Sequence, residues 1–275
     1  MVEYVQSPGT NPMLSTNHRA SGPRPETPRG PVGQTAPPPP TSLTGMANLP
    51  SLRQLPFFAG VPEEALALLA PRSRWRVYAA GEVVVDSGDP TTEVFFVAEG
   101  AVRVVVRTAL GDETILNDLP AGNFFGELAA IDGVARSANV TALQRTRLCA
   151  VPGPAFLEVA LSSPVAGERL LRLLASRLRA KDERLIEFKA LPVRLRLMGE
   201  LLRLSRDRGG GERVLSPPPQ QDVLAKRIGT RRETVSREMA EMARSRLIAV
   251  DRRAIVLLRP DALQAEIEAR LRGAG

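Results

Sequence analysis

Residues 220–237, QQDVLAKRIGTRRETVSR, constrain this chain more than any other stretch, because an apolar helical pattern breaks at Gly229 and a basic, polar helix follows it. Val223, Leu224 and Ile228 recur at helical spacing, Ala225 is small enough for a close helix crossing, and Gly229 supplies the backbone freedom of a tight turn. A second helix is expected to open with Thr230 as N-cap and Glu233 as its capping-box partner. Val235 and Met239 then face inward, while Arg232, Glu233, Ser236 and Arg237 share an outward arc of about 140° at roughly 3.6 residues per turn. Two guanidinium forks in that arc can take guanine O6 and N7 in the major groove, and a carboxylate can accept from cytosine N4. The segment therefore reads as a helix-turn-helix that recognises double-stranded DNA. An ordinary αα-hairpin would carry a charged solvated face without needing this order.

Charge is divided along the chain in the same sense. Residues 49–162 carry 9 Lys and Arg against 13 Asp and Glu, a net of −4, whereas residues 163–275 carry 25 against 15, a net of +10. Such an excess concentrates the C-terminal part near phosphates and gives a salt-dependent background affinity, but it does not by itself read a base sequence.

A length of 275 residues accommodates two domains and a tail. Residues 1–48 contain ten prolines, including Pro37 to Pro40, and few large apolar residues, so this segment is expected to be disordered. It lacks the apolar core of a signal peptide, and no stretch approaches about 18 uncharged apolar residues, so a cytoplasmic protein with no membrane partner is expected.

Two scarcities exclude classes of sensor chemistry. Cys149 is the only cysteine, so one chain cannot supply an iron-sulfur cluster, a multi-thiolate zinc site or a disulfide. His18 is the only histidine and lies in the tail, which leaves no histidine ligand for haem or zinc and no Ser-His general base in the folded part. Without a carboxylate cluster or a Walker-type loop, the chain reads as a non-enzyme without a cofactor.

Residues 75–151 alternate strand-like runs, VVVDSGDP, EVFFVAEG, AVRVVV and TRLCAV, with Gly81, Gly88, Gly100, Gly111 and Gly122 at intervals of 7 to 12 residues. That rhythm predicts a small antiparallel jelly-roll barrel with Cys149 buried on a strand. Within it lies FFGELAAIDGVARSANV, residues 124–140. Gly126 permits close backbone approach to a ligand, Glu127 opens a short helical turn whose free amides attract anions and is a suitable acceptor for sugar hydroxyls, and Arg136 with Ser137 can bind a phosphate. Any one of these residues alone is compatible with a plain loop; the constellation inside a glycine-punctuated β domain is not.

Residues 49–272 resemble the Crp/Fnr family of bacterial transcription regulators, the group of the cyclic-AMP receptor protein, in domain order, in the cassette FGELAAIDGVARSA and in the segment RRETVSR. The resemblance implies a homodimer whose barrel binds a cyclic nucleotide, with Gly126, Glu127, Leu128, Arg136 and Ser137 at the ribose and cyclic phosphate. It also implies recognition of palindromic half-sites resembling TGTGA, with Arg232, Glu233 and Arg237 as base readers, and RNA polymerase as a partner.

Between the domains, residues 164–190 are expected to form one helix carrying an a/d seam of Leu171, Leu174, Leu178, Lys181, Leu185 and Phe188. The family touches the nucleobase from this helix, and its cyclic-AMP-responsive members carry small hydroxyl residues where this chain has Lys181 and Asp182. Asp182 would suit the paired donors of a guanine edge, which brings cyclic GMP and cyclic di-GMP beside cyclic AMP as effectors and leaves a nucleotide-independent regulator open. Arg177 occupies the family's position for pairing with Glu127 across the pocket.

A helix over about 193–206 then leads into loops marked by Gly209 to Gly211 and Pro217 to Pro219. LIAVDRRAIVLL, residues 247–258, predicts a hairpin wing whose Arg253 meets DNA phosphates, followed by a closing helix over about 260–272. The whole reads as an α+β protein: a tail (1–48), an antiparallel β jelly-roll (49–162), a dimerisation helix (163–191) and a winged helix-turn-helix (192–275). The competing reading is a nucleotide-binding module that docks on another protein through its basic C-terminal part.

Overall fold

The computed structural model describes residues 42–43, 52–108 and 112–273. Of the expected tail only Ser42–Leu43 falls among them, and these two residues form strand β1 rather than lacking structure; the turn expected at Gly111 lies outside the described residues.

β2 (Arg74–Tyr78), β3 (Val83–Val85), β4 (Val94–Glu99), β5 (Ala101–Arg107), β6 (Glu113–Pro120), β7 (Phe124–Phe125), β8 (Asn139–Ala142) and β9 (Thr146–Val151) complete two antiparallel sheets, ordered β1-β2-β9-β4-β7 and β3-β8-β5-β6. Their inner faces close on one cluster, to which Tyr78, Phe95, Val97, Phe125 and Leu148 come from one sheet and Val85, Val102, Leu119 and Val140 from the other. This is the expected jelly-roll.

β4 is apolar from Val94 to Ala98 because both of its faces are covered there. Phe95 and Val97 point between the sheets. Val94 and Phe96 point to the opposite side, against Leu66 and Leu69 of helix α1 (Glu63–Leu69) and Phe156 and Val159 of α3 (Gly153–Ser162). Phe57 and Phe58 join this second layer, with ring centroids 4.9 Å from Phe124 and 4.8 Å from Phe96 respectively. Each such buried ring contributes about 1.5–3 kcal/mol of transfer free energy.

The long connecting helix, α4, spans Pro164–Ala190; Pro164 occupies its first turn and the Ser163 hydroxyl accepts from the Ala166 N–H at 3.4 Å. Leu170 anchors it in the barrel's outer core. Of the expected seam, Leu171, Leu178 and Leu185 are exposed along the helix, whereas Leu174 packs against the barrel core. Phe188, the last of that set, is 40% exposed. Its ring lies over the helix-turn-helix turn, where a Cβ on Gly229 would come within 2.9 Å of it, and the Arg196 guanidinium sits 4.9 Å from its centroid.

The C-terminal unit comprises α5 (Val193–Leu204), β10 (Arg206–Gly209), β11 (Glu212–Leu215), α6 (Gln221–Ile228), α7 (Arg232–Arg244), β12 (Ile248–Val250), β13 (Ile255–Leu257) and α8 (Pro260–Leu271). Its sheet runs β10-β11-β13-β12. The segment expected to be loops at 206–215 is therefore a strand pair that extends the wing sheet; glycines at 209–211 form its tip. Leu195, Met198 and Leu201 of α5, Leu224 and Ile228 of α6, Val235 and Met242 of α7, and Leu263 of α8 share one core.

Gly229 adopts φ 62° and ψ 55°, the left-handed turn that breaks α6 from α7. The capping expectation is corrected here: Arg231, not Thr230, is the N-cap of α7, and no side chain caps it. The Thr230 N–H is bonded to the Ala225 carbonyl at 3.1 Å, so that residue still belongs to the end of α6.

Candidate functional site

The cassette begins where β7 runs through Gly126 into α2 (Glu127–Asp132). Gly126 has φ 87°, and an added Cβ would stand 2.5 Å from Arg136 Nη1 and 2.7 Å from the Glu93 carbonyl oxygen. Only glycine lets the two segments meet.

Arg136 is buried and held on both sides. Its main chain is tied to the preceding turn, Gly88 N–H to Arg136 O at 2.8 Å and Arg136 N–H to Asp89 O at 2.9 Å. Its guanidinium donates to Glu93 O at 2.7 Å, Gly126 O at 3.1 Å and the Thr91 hydroxyl at 3.3 Å, over the Phe95 ring. Burial lowers its pKa from the ordinary arginine value, an effect that Asp89, Glu93 and Glu127 oppose. Of the five guanidinium N–H donors about two remain for an anion.

Glu127 is 3% exposed, and its Oε1 lies 2.5 Å from Nη1 of Arg177, whose Nη2 donates to Phe124 O at 2.7 Å. The structure thus brings Gly126, Glu127, Arg136 and Arg177 into one place. Leu128 and Ser137 are exposed beside them. Lys181 and Asp182, one turn along α4 from Arg177, are also exposed and make no hydrogen bond or ion pair among the described residues. Cys149 is buried on β9, and desolvation pushes its thiol up to about 12.

At the other end of the chain Arg232, Glu233, Ser236 and Arg237 are exposed on α7 and line one groove together with Gln221 and Ala240. Gln221 was not singled out in the sequence; its only signal was its place in the first turn of α6, facing the start of α7. In the wing, Asp251 Oδ1 accepts from the Arg253 and Ala254 N–H groups at 2.6 and 2.8 Å, which closes the turn, lowers the Asp251 pKa and leaves Arg253 exposed. Arg227 is a buried charge that the sequence analysis did not single out. Nothing in the local sequence marks it out, yet it lies on the buried face of α6.

Among the described residues no helix is long and apolar enough to cross a membrane, and no group of three or more His, Cys, Asp or Glu could hold a metal ion.

Comparison with known proteins matches residues 75–163 to the cyclic nucleotide-binding domain and residues 195–266 to the Crp-like helix-turn-helix domain. The chain is 33% identical over 190 residues to the cyclic AMP receptor protein of Thermus thermophilus, covering 68% of this chain and 85% of that one. It is 27% identical over 205 residues to the CRP-like cAMP-activated global transcriptional regulator of Mycobacterium tuberculosis, covering 73% and 91%. Among solved structures it is similar to a CRP-family transcriptional regulator of Thermus thermophilus, with a TM-score of 0.57, 26% identity and coverage of 73% and 100%.

Proposed function

The chain belongs to the Crp/Fnr family of transcription regulators, and from that footing we propose that it is a homodimer that reads palindromic DNA under control of a cyclic nucleotide. α4 is the dimer helix; Leu171, Leu178, Leu185 and the adjacent Ile186 are exposed along it, an apolar stripe that a second copy would cover. The cyclic phosphate takes the remaining donors of Arg136 and the Ser137 hydroxyl, Glu127 accepts from the ribose, Gly126 and Leu128 border it, and Lys181 and Asp182 meet the base. Arg232, Glu233, Ser236 and Arg237 enter the major groove of a TGTGA-like half-site, and Arg253 meets the adjoining phosphates. RNA polymerase is the partner such a regulator addresses once bound.

One observation carries the coupling of the two sites. α4 touches the cassette through Arg177 and Glu127, and seven residues on it touches the winged unit through Arg184, whose Nη1 lies 2.8 Å from Glu200 Oε2 on α5. At about 1.5 Å per residue these contacts are some 10 Å apart on one rigid helix, so a shift at the cassette is felt at the winged unit. Nucleotide would favour the arrangement that sets the two recognition helices about 34 Å apart.

Titration calorimetry with cyclic AMP, cyclic GMP and cyclic di-GMP, alongside a gel shift on a TGTGA palindrome, tests this reading. Selective palindrome binding that tightens with one of the three is the expected result. A second reading, regulation without any nucleotide, is favoured by Arg136 already engaging three acceptors of its own chain; specific DNA binding with no response to any of the three would establish it.

A further inference from the structure

α4 carries two different faces. Leu171, Leu178 and Leu185 lie exposed along one of them. At about 3.6 residues per turn, Arg184, Glu187, Phe188 and Leu191 fall within an arc of about 100°, centred about 130° away from that stripe. Each member of this second arc meets the winged unit. Arg184 Nη1 lies 2.8 Å from Glu200 Oε2, and the Glu187 carboxylate accepts from Arg203 Nη1 at 2.7 and 3.0 Å. The Phe188 ring lies 4.9 Å from the Arg196 guanidinium and against the turn at Gly229, and Leu191 is buried in the winged core. Only Leu191 and Pro192 connect α4 to α5, so the end of α4 is laid along the winged unit rather than joined to it by a slack linker.

The receiving side is fixed independently of α4. Glu200 has a side chain 1% exposed, and besides Arg184 it accepts from Arg203 of α5 at 3.1 Å and from Arg227 Nη1 of α6 at 3.3 Å. A carboxylate gripped by two cations of its own unit does not swing to follow a displaced Arg184. The Arg196 Nε–H is buried with no acceptor among the described residues, so the Phe188 ring is what places that cation. All of these contacts are formed while Arg232, Glu233, Ser236 and Arg237 stand exposed on α7, so the seating of α4 and the presentation of the reading residues coexist.

Two copies joined through the leucine stripe would present two recognition helices whose separation and mutual rotation follow from the angle at which each α4 seats its winged unit. DNA is strict about both. Moving one half-site by a single base pair shifts it about 3.4 Å along the axis and turns it by about 35°, since a helical turn takes about 10–10.5 base pairs. A rigid seat cannot follow that combined movement, and the second half-site is then lost to binding.

We propose that the face formed by Arg184, Glu187 and Phe188 determines which half-site spacing the protein accepts, so that these residues govern DNA specificity without touching a base. This role rests on the dimeric, DNA-reading function proposed above, and the experiment separates the two.

The deciding variant is Arg184→Met combined with Glu187→Gln in the full chain, because both changes lie on α4 and leave Glu200 paired with Arg203 and Arg227. Phe188→Ala decides if the double variant does not fold or does not sediment like the wild type. Fluorescence anisotropy gives affinities for TGTGA palindromes with half-site centres about 9 to 13 base pairs apart, and for a duplex with one half-site. Each is measured without nucleotide and with cyclic AMP, cyclic GMP or cyclic di-GMP. The wild type is expected to bind its best spacing about 100-fold more tightly than spacings one base pair shorter or longer. The variant should compress that ratio to about ten-fold or less, with its affinity for the single half-site unchanged. A variant that keeps the wild-type ratio overturns the proposal, even if it melts at a lower temperature. So does an equal loss at every spacing and at the single half-site, which is what a purely structural role predicts. A wild type that selects palindromes at every spacing alike overturns it and leaves the DNA-reading function standing; one that prefers no palindrome to the half-site duplex overturns both.

Discussion

Glu127 and Arg177 meet at 2.5 Å, the carboxylate 4% and the guanidinium 27% exposed in their side chains, and they join the cassette to the long helix. The pair is not isolated. Arg177 also holds the Phe124 carbonyl and lies 5.6 Å from the Phe124 ring, which itself belongs to the aromatic layer under the barrel. A single residue of α4 therefore fixes the strand before Gly126, the helix after it and the helix that leads to the winged unit.

Removing one member should cost far more than removing both. Arg177→Met leaves a buried carboxylate without its cation, and the expected destabilisation is on the order of 3 kcal/mol, reduced by whatever water reaches the 27% exposed site. Adding Glu127→Gln should recover part of that loss. Chemical denaturation of the two single variants and the double variant measures this; strictly additive effects would show that the two side chains do not interact in solution.

Leu178 stands in the middle of the exposed stripe on α4, where a second copy would cover it. Leu178→Asp would place a charge against its symmetry mate, so the variant should sediment as a monomer and lose palindrome binding while its barrel still melts cooperatively. A wild type that is already monomeric at micromolar concentration defeats this.

Cys149 gives a prediction that depends on neither site. Its folded thiol is pushed up to about 12 from a reference of 9.0, so burial favours the neutral form. The stability linked to this group is complete below about pH 9, where the unfolded thiol is also neutral, and falls as pH rises from there towards 12, because the unfolded chain ionises first. A maleimide at pH 8 should leave the native protein unmodified and label it promptly in denaturant.

What could be read from the sequence was what a single periodicity or motif controls. The heptad-like leucines gave α4, and the break at Gly229 gave the helix pair, since each signal is local. Several strands gave no such signal, and two of them show why. β2 reads RWRVY, and its arginines conceal Trp75 and Tyr78, which are buried in the two apolar clusters on either side of the sheet. β6 reads ETILNDLP, whose polar residues look like a loop until Arg103 and Asp118 are seen as cross-strand partners. Arg227 was illegible for a similar reason: its partners lie 27 and 109 residues away, and no local pattern announces a charge that is buried because distant carboxylates meet it.

On α7, Arg232 and Arg253 of the wing should separate base reading from phosphate attraction. Arg232→Ala is expected to cost about 1–3 kcal/mol on a specific palindrome and to relax preference at one position of each half-site. Arg253→Ala should weaken all sequences alike and flatten the salt dependence. An unchanged base preference in Arg232→Ala would mean that another residue of the groove, with Gln221 the first candidate, does the reading.

Anchoring and choice of the nucleotide should likewise fall to different residues. Arg136 donates to three acceptors of its own chain, so a phosphodiester gains only what exceeds those contacts, and Arg136→Ala should weaken every cyclic nucleotide by about 1.5–3 kcal/mol. Asp182 lies on α4 beyond Arg177 with an unengaged carboxylate, well suited to the paired donors of a guanine edge. Asp182→Ser should therefore erode a preference for cyclic GMP or cyclic di-GMP over cyclic AMP while leaving the affinity for cyclic AMP nearly unchanged. Calorimetry on both variants distinguishes the two effects. If Asp182→Ser lowers all three affinities equally, the residue supports the helix rather than reading the base. If no nucleotide binds the wild type at millimolar concentration while the palindrome is still selected, Arg136 serves only to hold Gly126 and Glu93 together, and control must reach α7 by another route.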